Sequence, residues 1–426
     1  MNVKKSIAAA VLGASVFFLP VAHAEVKTYE GMGEYIMSDF ETPDIAKQRA
    51  KARAEQDCVE QAGVYVKSYT RTVNSAVEED EVEAIANNII NIIHDEYSVT
   101  PVSESGGSFR IVAKIRATVD SGRIDAWLAR ERGKNRELVE ENKRLQEAKT
   151  RQDAEIADLR QKLSTTRNEQ EKKQLETQVA NEDRKFLATQ KVEEGRRLLV
   201  AKKYEDAVAV FSQAIGLDEG NVMAYNGRGV AYDGKEDFPR AIADYSKVIE
   251  LDPKFAWAYA NRSVVYFEQG NSQKAIDDFN KAIELDSKNA SEYYINRGII
   301  YREQKNYQQA ISDYNKAIEL EPKKALAYAN RGIVYALLGN YQQAIADCNK
   351  AIEIDPKDAR AYEGRSHVYA VFGKYQQAIE DCSKAIELDP NDAWAYHRRG
   401  LLYQEFDNMQ QSNADLARAK ELGYKE

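Results

Sequence analysis

The spacing of apolar and polar positions repeats every 34 residues through the C-terminal half of the chain. Within each unit, positions 4, 8 and 11 lie three and four residues apart and therefore share one face of a helix. Positions 20, 24 and 27 have the same spacing and predict a second helix with one buried face. The pattern recurs seven times, in units that begin at Ala188, Val222, Ala256, Ser291, Ala325, Ala359 and Ala393.

The residue types in these columns indicate how the two helices pack. Position 8 is glycine or serine in all seven units and position 20 is alanine in six, so the helices can approach closely. Positions 4 and 11 are aromatic in six units and fill the space beside the small residues. Proline at position 32 prevents the second helix from continuing, and it occurs in four units, as Pro253, Pro322, Pro356 and Pro390.

These columns resemble the tetratricopeptide repeat, and the resemblance covers 239 of the 426 residues. It implies a mainly α fold in which antiparallel helix pairs stack into a right-handed superhelix, an α-solenoid with a concave groove. Each pair is too small to bury its own apolar surface, so stability accumulates through contacts between neighbours. We therefore expect residues 188–426 to form one array of seven units.

Three further columns carry charge or sulfur. Position 7 is arginine and position 23 is aspartate in the same six units, and antiparallel helices bring these positions together. We interpret them as a ladder of ion pairs that braces each helix pair, rather than as a track for a charged ligand. Cys348 and Cys382 occupy position 24 of adjacent units, where other units place large aromatic residues, so we expect them to fill the core without forming a disulfide.

The groove face of the first helices is the predicted binding site. Position 6 carries Asn261, Asn296 and Asn330 in three central units, and an amide can both donate to and accept from an extended peptide backbone. Ordinary repeat composition explains the same asparagines equally well, and both interpretations stay open. The neighbouring apolar residues Trp257, Phe267 and Leu326 complete the candidate peptide-binding set.

The segment 133–187 precedes the array and contains no glycine or proline after Gly133. Its leucines and isoleucines fit a heptad seam with Asn142 at an inner position, through Leu138, Leu145, Ile156, Leu159 and Leu163. We predict one long helix of about 80 Å. It is either a coiled coil that forms a parallel homodimer, since a buried asparagine favours one register, or a solvated spacer.

Residues 25–132 predict a small α+β domain. A strand over Val26–Met37 is followed by a helix whose stripe of small residues, at four-residue spacing, should press closely on a sheet: Ala46, Ala50, Ala54, Cys58 and Ala62. A second helix is predicted over Asp80–Ile93, strands over Tyr97–Val102 and Phe109–Val119, and a third helix from Ile124. This order resembles the N-terminal domain of flagellar assembly protein T and related surface lipoproteins.

The first 24 residues predict an export signal. Lys4 and Lys5 precede an apolar run over Ile7–Val21, and Ala22-His23-Ala24 provides small residues around a cleavage point. Removal of residues 1–24 leaves 58 basic and 69 acidic side chains and a net charge of −11, which disfavours nucleic acid as a partner. We expect an exported protein, periplasmic or extracellular, with no membrane segment after cleavage.

The sequence predicts binding rather than catalysis. It contains no phosphate loop, no zinc-type His/Glu motif and no nucleophile elbow, so we predict neither an enzyme nor a cofactor or metal site. The leading hypothesis is a non-enzymatic scaffold that binds a protein or peptide in the concave groove. The alternative is a structural coiled-coil oligomer that contributes to an envelope or surface assembly.

Overall fold

The computed structural model describes residues 26–37, 41–72, 77, 79–102, 108–128, 132–287 and 290–424, and the predicted export signal lies outside these ranges. The chain divides into two compact units between Ala201 and Lys202. Within the described ranges, no helix has the length and hydropathy required to cross a membrane.

The N-terminal unit contains a three-stranded antiparallel sheet. Its strands are β1 (Val26–Met37), β2 (Asn91–Pro101) and β3 (Phe109–Asp120), in the order β1-β3-β2. The register pairs Gly31 with Ile115 and Gly33 with Ala113 across β1 and β3. Both glycines thus lie on the same face of β1, as residues two apart in a strand must.

The helix α1 (Pro43–Thr72) packs on that face. The predicted stripe of alanines and Cys58 is fully buried. A β-carbon added to Gly33 would lie 2.0 Å from the carbonyl oxygen of Ala50, and one added to Gly31 would lie 2.1 Å from that of Ala54. Only glycine fits at these two positions, because any side chain would push α1 away from the sheet. The close approach predicted from the stripe is confirmed.

The second predicted helix is shorter in the structure. The helix α2 (Glu79–Ile89) ends four residues earlier than predicted, and β2 begins at Asn91 rather than Tyr97. Ile92 pairs with Ala117 of β3 in the sheet. The apolar run at the end of α2 has no periodicity that distinguishes a helix from a strand. Pairing with β3 therefore determines that this part of the run is a strand. A short helix α3 (Ser121–Leu128) follows β3.

Two helices occupy the segment predicted as one. The helix α4 (Arg132–Thr165) ends before Asn168, whose side chain accepts hydrogen bonds from the backbone of Gln170 and Glu171 and starts α5 (Glu169–Val200). The helices fold back on each other as an antiparallel hairpin, in which the Lys149 ammonium lies 2.7 Å from the Glu193 carboxylate. The single 80 Å helix is therefore not formed.

The heptad seam is buried inside this hairpin. Leu159 and Leu163 of α4 pack with Leu175 and Val179 of α5. Asn142 is also buried, with 5% of its surface exposed. The side chain of Leu138 lies outside the described part of the chain. The apolar positions that suggested a partner helix are thus occupied by a helix of the same chain.

Buried charges attach the hairpin to the rest of the N-terminal unit. Arg49 of α1 donates to Asp183 of α5 at 2.9 Å and pairs with Glu41 at 3.0 Å. Arg160 of α4 reaches the same Glu41 carboxylate at 2.8 Å. Because both carboxylates are shared by two guanidinium groups, α1, α4 and α5 are fixed relative to one another.

The C-terminal unit is a regular series of antiparallel helix pairs, as predicted. It contains α6 (Tyr204–Leu217), α7 (Val222–Asp233), α8 (Phe238–Leu251), α9 (Ala256–Glu268), α10 (Ser272–Leu285), α11 (Ala290–Glu303), α12 (Tyr307–Leu320), α13 (Ala325–Leu337), α14 (Tyr341–Ile354), α15 (Ala359–Val371), α16 (Tyr375–Leu388), α17 (Ala393–Glu405) and α18 (Met409–Glu421). The predicted first unit is divided, since Ala188–Val200 belongs to α5 in the N-terminal unit and only its second helix, α6, lies here.

Small residues at position 8 let the helices approach closely, as predicted, and they face the residue at position 24 of the second helix. A β-carbon on Gly298 would lie 2.6 Å from the ring of Tyr314, which is fully buried. Cys348 and Cys382 take the place of the ring in two units, and both are buried free thiols. Burial raises the pKa of the Cys348 thiol to about 12, so the thiol is neutral and unreactive at physiological pH.

Candidate binding site on the repeat array

The arginine at position 7 clamps the aspartate at position 23 in six units. Nε and Nη2 of each arginine donate to the two oxygens of one carboxylate, over 2.6 to 2.9 Å. The pairs are Arg228–Asp244, Arg262–Asp278, Arg297–Asp313, Arg331–Asp347, Arg365–Asp381 and Arg399–Asp415. This geometry confirms that the ion pairs brace each helix pair. The charges of these arginines and aspartates are paired with each other within the array.

Each ladder arginine also reaches the preceding unit. Its Nη1 donates to a serine or asparagine at position 25 of the unit before it, over 2.6 to 3.1 Å in five of six cases; the acceptors are Ser212, Ser246, Asn280, Asn315, Asn349 and Ser383. The guanidinium carbon lies 5.3 to 6.0 Å from the tyrosine rings at positions 4 and 11. This contact was not predicted, although position 25 is serine or asparagine in six successive units.

The apolar members of the predicted site mostly face neighbouring helices. Trp257 is 7% exposed, and its ring meets Tyr293 edge to face with centroids 5.6 Å apart. Phe267 is partly buried against the same core, and Leu326 is partly buried against a core that includes Tyr314. These residues support the groove wall, and little of Trp257 remains for a ligand.

The three asparagines have different surroundings. Asn330 is buried: its amide nitrogen donates to the carbonyl of Leu326, and its amide oxygen accepts from Arg302, each over 3.0 Å. It thereby joins α13 to α11. Asn261 and Asn296 are half-exposed. The structure does not present the three amides as one equivalent row, and their role in peptide binding stays a prediction.

The last three units expose apolar side chains where the earlier units are polar. We call Leu337, Leu338, Val371, Phe372 and Phe406, which occupy positions 13 and 14, the apolar edge; each is 38 to 51% exposed. The same positions hold glycine, glutamate, glutamine or lysine in α7, α9, α11 and the turns after them. Phe372 and Phe406 contact Tyr341 and Tyr375 of the preceding units, with centroids 4.9 and 6.1 Å apart. Their remaining surface is open.

A cleft of about 370 Å³ lies beside α17 at the end of the array. The guanidinium of Arg398 stacks over the ring of Trp394 at 4.4 Å, and His397 stacks on Tyr424 at 4.0 Å. Tyr375, Leu401 and Leu402 also line it. Arg398 occupies position 6, the column of the predicted asparagines, but it was not among the predicted site residues.

The described residues contain no group of three or more His, Cys, Asp or Glu side chains arranged to hold a metal ion. The carboxylates of the array are instead distributed in ladder pairs and in exposed pairs three residues apart, such as Lys350–Glu353.

Comparison with known families identifies repeats at the predicted positions. The model described as "Tetratricopeptide repeat" matches residues 222–255, 256–289, 291–324 and 325–358, which are the predicted second to fifth units. A model described as "TPR repeat" matches residues 372–405. Comparison with curated protein sequences gives no match.

Among solved structures, the chain is similar to several proteins, two of which are described as tetratricopeptide repeat or TPR proteins. A tetratricopeptide repeat protein from Parabacteroides merdae ATCC 43184 is 23% identical, with 56% of this chain and 94% of that chain covered and a TM-score of 0.49. YrrB, described as a TPR protein with an unusual peptide-binding site, is 26% identical, with 44% and 96% covered and a TM-score of 0.35. PilF of Pseudomonas aeruginosa is 22% identical, with 49% and 94% covered and a TM-score of 0.42.

Proposed function

Because residues 222–255, 256–289, 291–324 and 325–358 are tetratricopeptide repeats, we propose that this chain is a non-enzymatic scaffold that binds a protein or peptide partner along the first helices of its array. The fold supports this function at the level of its class, since tetratricopeptide arrays present protein-binding surfaces. The binding of an extended segment in the groove, and export of the chain, are further parts of the proposal.

The apolar edge is the observation that carries the proposal. Exposed leucine, valine and phenylalanine side chains occur at equivalent positions of three successive units. Exposed apolar residues that serve no binding function are usually scattered singly over a protein surface. The ladder arginines beside them are neutralised by their aspartates. A partner that covers this edge would gain apolar burial without having to desolvate unpaired ladder charges.

The edge can be tested with the double variant Leu337→Glu/Val371→Glu. We expect it to lose partner capture, measured by photo-crosslinking from an unnatural side chain at Leu338, because two charges would enter the apolar contact. Leu320→Glu is the matched control, since Leu320 is 44% exposed but ends the second helix α12. Equal capture by the double variant and the control, with unchanged circular dichroism, would contradict the proposal.

A test of the groove amides should replace fewer residues than Asn261, Asn296 and Asn330 together. Asn330 bridges two helices, so its loss would weaken both packing and any peptide contact. Asn296→Ala, at a half-exposed amide, changes the groove with less effect on packing. We expect Asn296→Ala to weaken capture while the unfolding profile stays unchanged. If this variant still captures the partner fully, ordinary repeat composition explains the asparagines.

We further propose that the chain is exported and acts in the periplasm or outside the cell. The support is the pattern of residues 1–24, with its basic start, apolar run and Ala22-His23-Ala24 ending. Intact-mass measurement of the protein recovered from cells should give a chain that starts at Glu25. Retention of the first 24 residues would contradict export by this route, and cell fractionation would separate the periplasm from the medium.

Assembly through a coiled-coil dimer has less support. Pairing of residues 133–187 with a second chain requires an open seam, but Leu159 and Leu163 are 8% and 2% exposed in a single chain. Light scattering of the full chain should therefore give a monomer at micromolar concentration. A dimer that persists when the apolar edge is mutated would support assembly through the coiled-coil segment instead.

A further inference from the structure

Three side chains of α1 form hydrogen bonds with the outer side of β1. We call them the polar column of α1, and they are Arg53, Asp57 and Gln61. Arg53 donates to the carbonyl oxygen of Glu34 at 2.6 Å, and Gln61 donates to that of Glu30 at 3.0 Å. Between them, the backbone N–H of Met32 donates to the Asp57 carboxylate at 2.9 Å. Alternate residues of an antiparallel strand face its partner, so these three groups are successive positions on the side of β1 away from β3.

The dimensions of helix and strand explain why these contacts match. Successive members of the polar column are four residues apart, which is about 6 Å along a helix axis. Their backbone partners are two residues apart, which is about 6.8 Å along a strand. The helix can lie this close because Gly31 and Gly33 have no side chain, and a β-carbon on Gly31 would lie 2.1 Å from the carbonyl oxygen of Ala54. Gln61 also donates to the other oxygen of Asp57 at 3.0 Å, which orients the carboxylate.

The two edge strands of the sheet are protected in different ways. An edge strand presents unpaired N–H and C=O groups to which a strand of another chain can bind, and proteins commonly prevent this with proline, bulges or charged residues. The pairing of β2 is irregular between Ile92 and His94, and the strand ends at Pro101. The pairing of β1 with β3 is unbroken over Val26–Met37, and β1 contains no proline.

The side chains of β1 give its outer edge little protection. Met32 and Ile36 are 62% and 51% exposed. Glu30 and Glu34 each pair with an arginine of β3 at 3.0 Å, so their charges are balanced within the sheet. Lys27, the one lysine of the strand, lies over a tyrosine ring of α1 at 4.1 Å. Without the polar column, β1 would therefore present an open edge of 12 residues.

We propose that the polar column of α1 blocks strand addition at β1 and thereby prevents a second copy of this chain from pairing there, edge to edge. A second copy is the occupant that the geometry favours, since two identical edges pair antiparallel about a twofold axis. The three occupied positions are symmetric about Met32. An axis at Met32 would therefore pair Glu30 of one copy with Glu34 of the other, and the arginines of β3 would balance these acids. This inference does not depend on the proposed scaffold function.

The full chain with Arg53→Ala, Asp57→Ala and Gln61→Ala tests the proposal. Alanine removes all three bonds and favours the helix. In sedimentation velocity at micromolar concentrations, we expect a monomeric wild type and a triple variant that approaches about twice that mass as concentration rises. Gln56→Ala/Glu60→Ala is the matched control, because these two side chains bond to each other along α1. The control should stay monomeric.

A further substitution assigns the association to β1. Met32→Pro, added to the triple variant, removes the N–H at the centre of the outer edge, which β3 does not use. Proline is tolerated at such edge positions, so this variant should return to the monomer mass. Met32→Leu in the same background keeps the N–H and should stay associated. Circular dichroism should give the same helix content for all variants.

Hydrogen exchange of the unmodified chain tests the Asp57 bond without any substitution. By the register of the sheet, the amides of Tyr97 and Val99 point outward from β2, as that of Met32 does from β1. We expect the Met32 amide to exchange about fivefold more slowly than these two, because it has an acceptor on α1.

Four results would overturn the proposal. They are a folded triple variant that stays monomeric, equal association of the Gln56→Ala/Glu60→Ala control, association that persists with Met32→Pro, and equal exchange of the amides of Met32 and Val99. If the triple variant does not fold, the exchange measurement on the wild type decides.

Discussion

Neutralising one aspartate of the ladder tests how far the ion pairs stabilise the array. In the wild type, Nε and Nη2 of Arg331 lie 2.7 Å from the two oxygens of Asp347. The side chains are 18% and 10% exposed. Asp347→Asn keeps the shape but replaces one acceptor with a donor facing the guanidinium. Breaking a fully buried pair costs about 3–5 kcal/mol, and Arg331 retains its bond to Asn315. We therefore expect a loss of about 2–3 kcal/mol.

The matched control is Glu353→Gln on the same helix. Glu353 pairs with Lys350 at 2.8 Å, and their side chains are 69% and 43% exposed. Solvent already screens this pair, so the same change of charge should leave the local free energy of opening nearly unchanged. The contrast depends on burial and geometry, because both substitutions convert one acid to its amide within α14.

Hydrogen exchange followed by mass spectrometry is the assay, because repeat arrays open locally and a single melting temperature would average over the units. Protection factors of amides in α13 and α14 give the local free energy of opening. Similar losses in the two variants, or a loss below about 1 kcal/mol for Asp347→Asn, would refute the view that the ladder braces each helix pair.

Three other predictions test separate parts of the chain. Gly33→Ala should destabilise the N-terminal unit by about 1–3 kcal/mol through overpacking against α1, whereas Gly63→Ala, whose β-carbon would meet Val82 at 3.8 Å, should be neutral or stabilising in the same thermal melt. Asn168→Ala should cost about 1 kcal/mol, seen as faster exchange at the start of α5. Because the folded state holds the proton of Glu363 up to a pKa of about 8, the stability of the last units should fall as pH rises from about 5 to 8. Glu363→Gln should flatten that dependence in urea titrations at several pH values.

The helix pairs were predictable because the same physical requirement recurs in every unit. A small residue such as Gly298 faces a large one such as Tyr314. Because this combination is repeated along the array, the helical periodicity can be recognised in the sequence. The hairpin of α4 and α5 was not predicted, since no glycine or proline interrupts the segment. Asn168 followed by Glu171 was the available indication, because an N-cap residue with an acid three positions later marks a helix start.

The candidate site was less predictable, because it depends on contacts between units. A helical wheel places Trp257 and Asn330 on the groove face, but Tyr293 and Arg302 of neighbouring helices cover or bind them. Arg398 was not selected, since its stacking on Trp394 beside a cleft cannot be recognised from a column of residue types.

The side-chain bond from each arginine to the preceding unit has a consequence for how such a chain can grow. Duplication of a whole internal 34-residue segment regenerates both halves of the junction, because the units from Val222 onward carry the arginine at position 7 and the units up to Ser383 carry an oxygen acceptor at position 25. The unit that contains α18 has Ala417 in that column. A copy inserted internally would find its acceptor, whereas one appended after α18 would leave its arginine one hydrogen bond short. Lengthening by internal gene duplication is therefore the less costly route for this array.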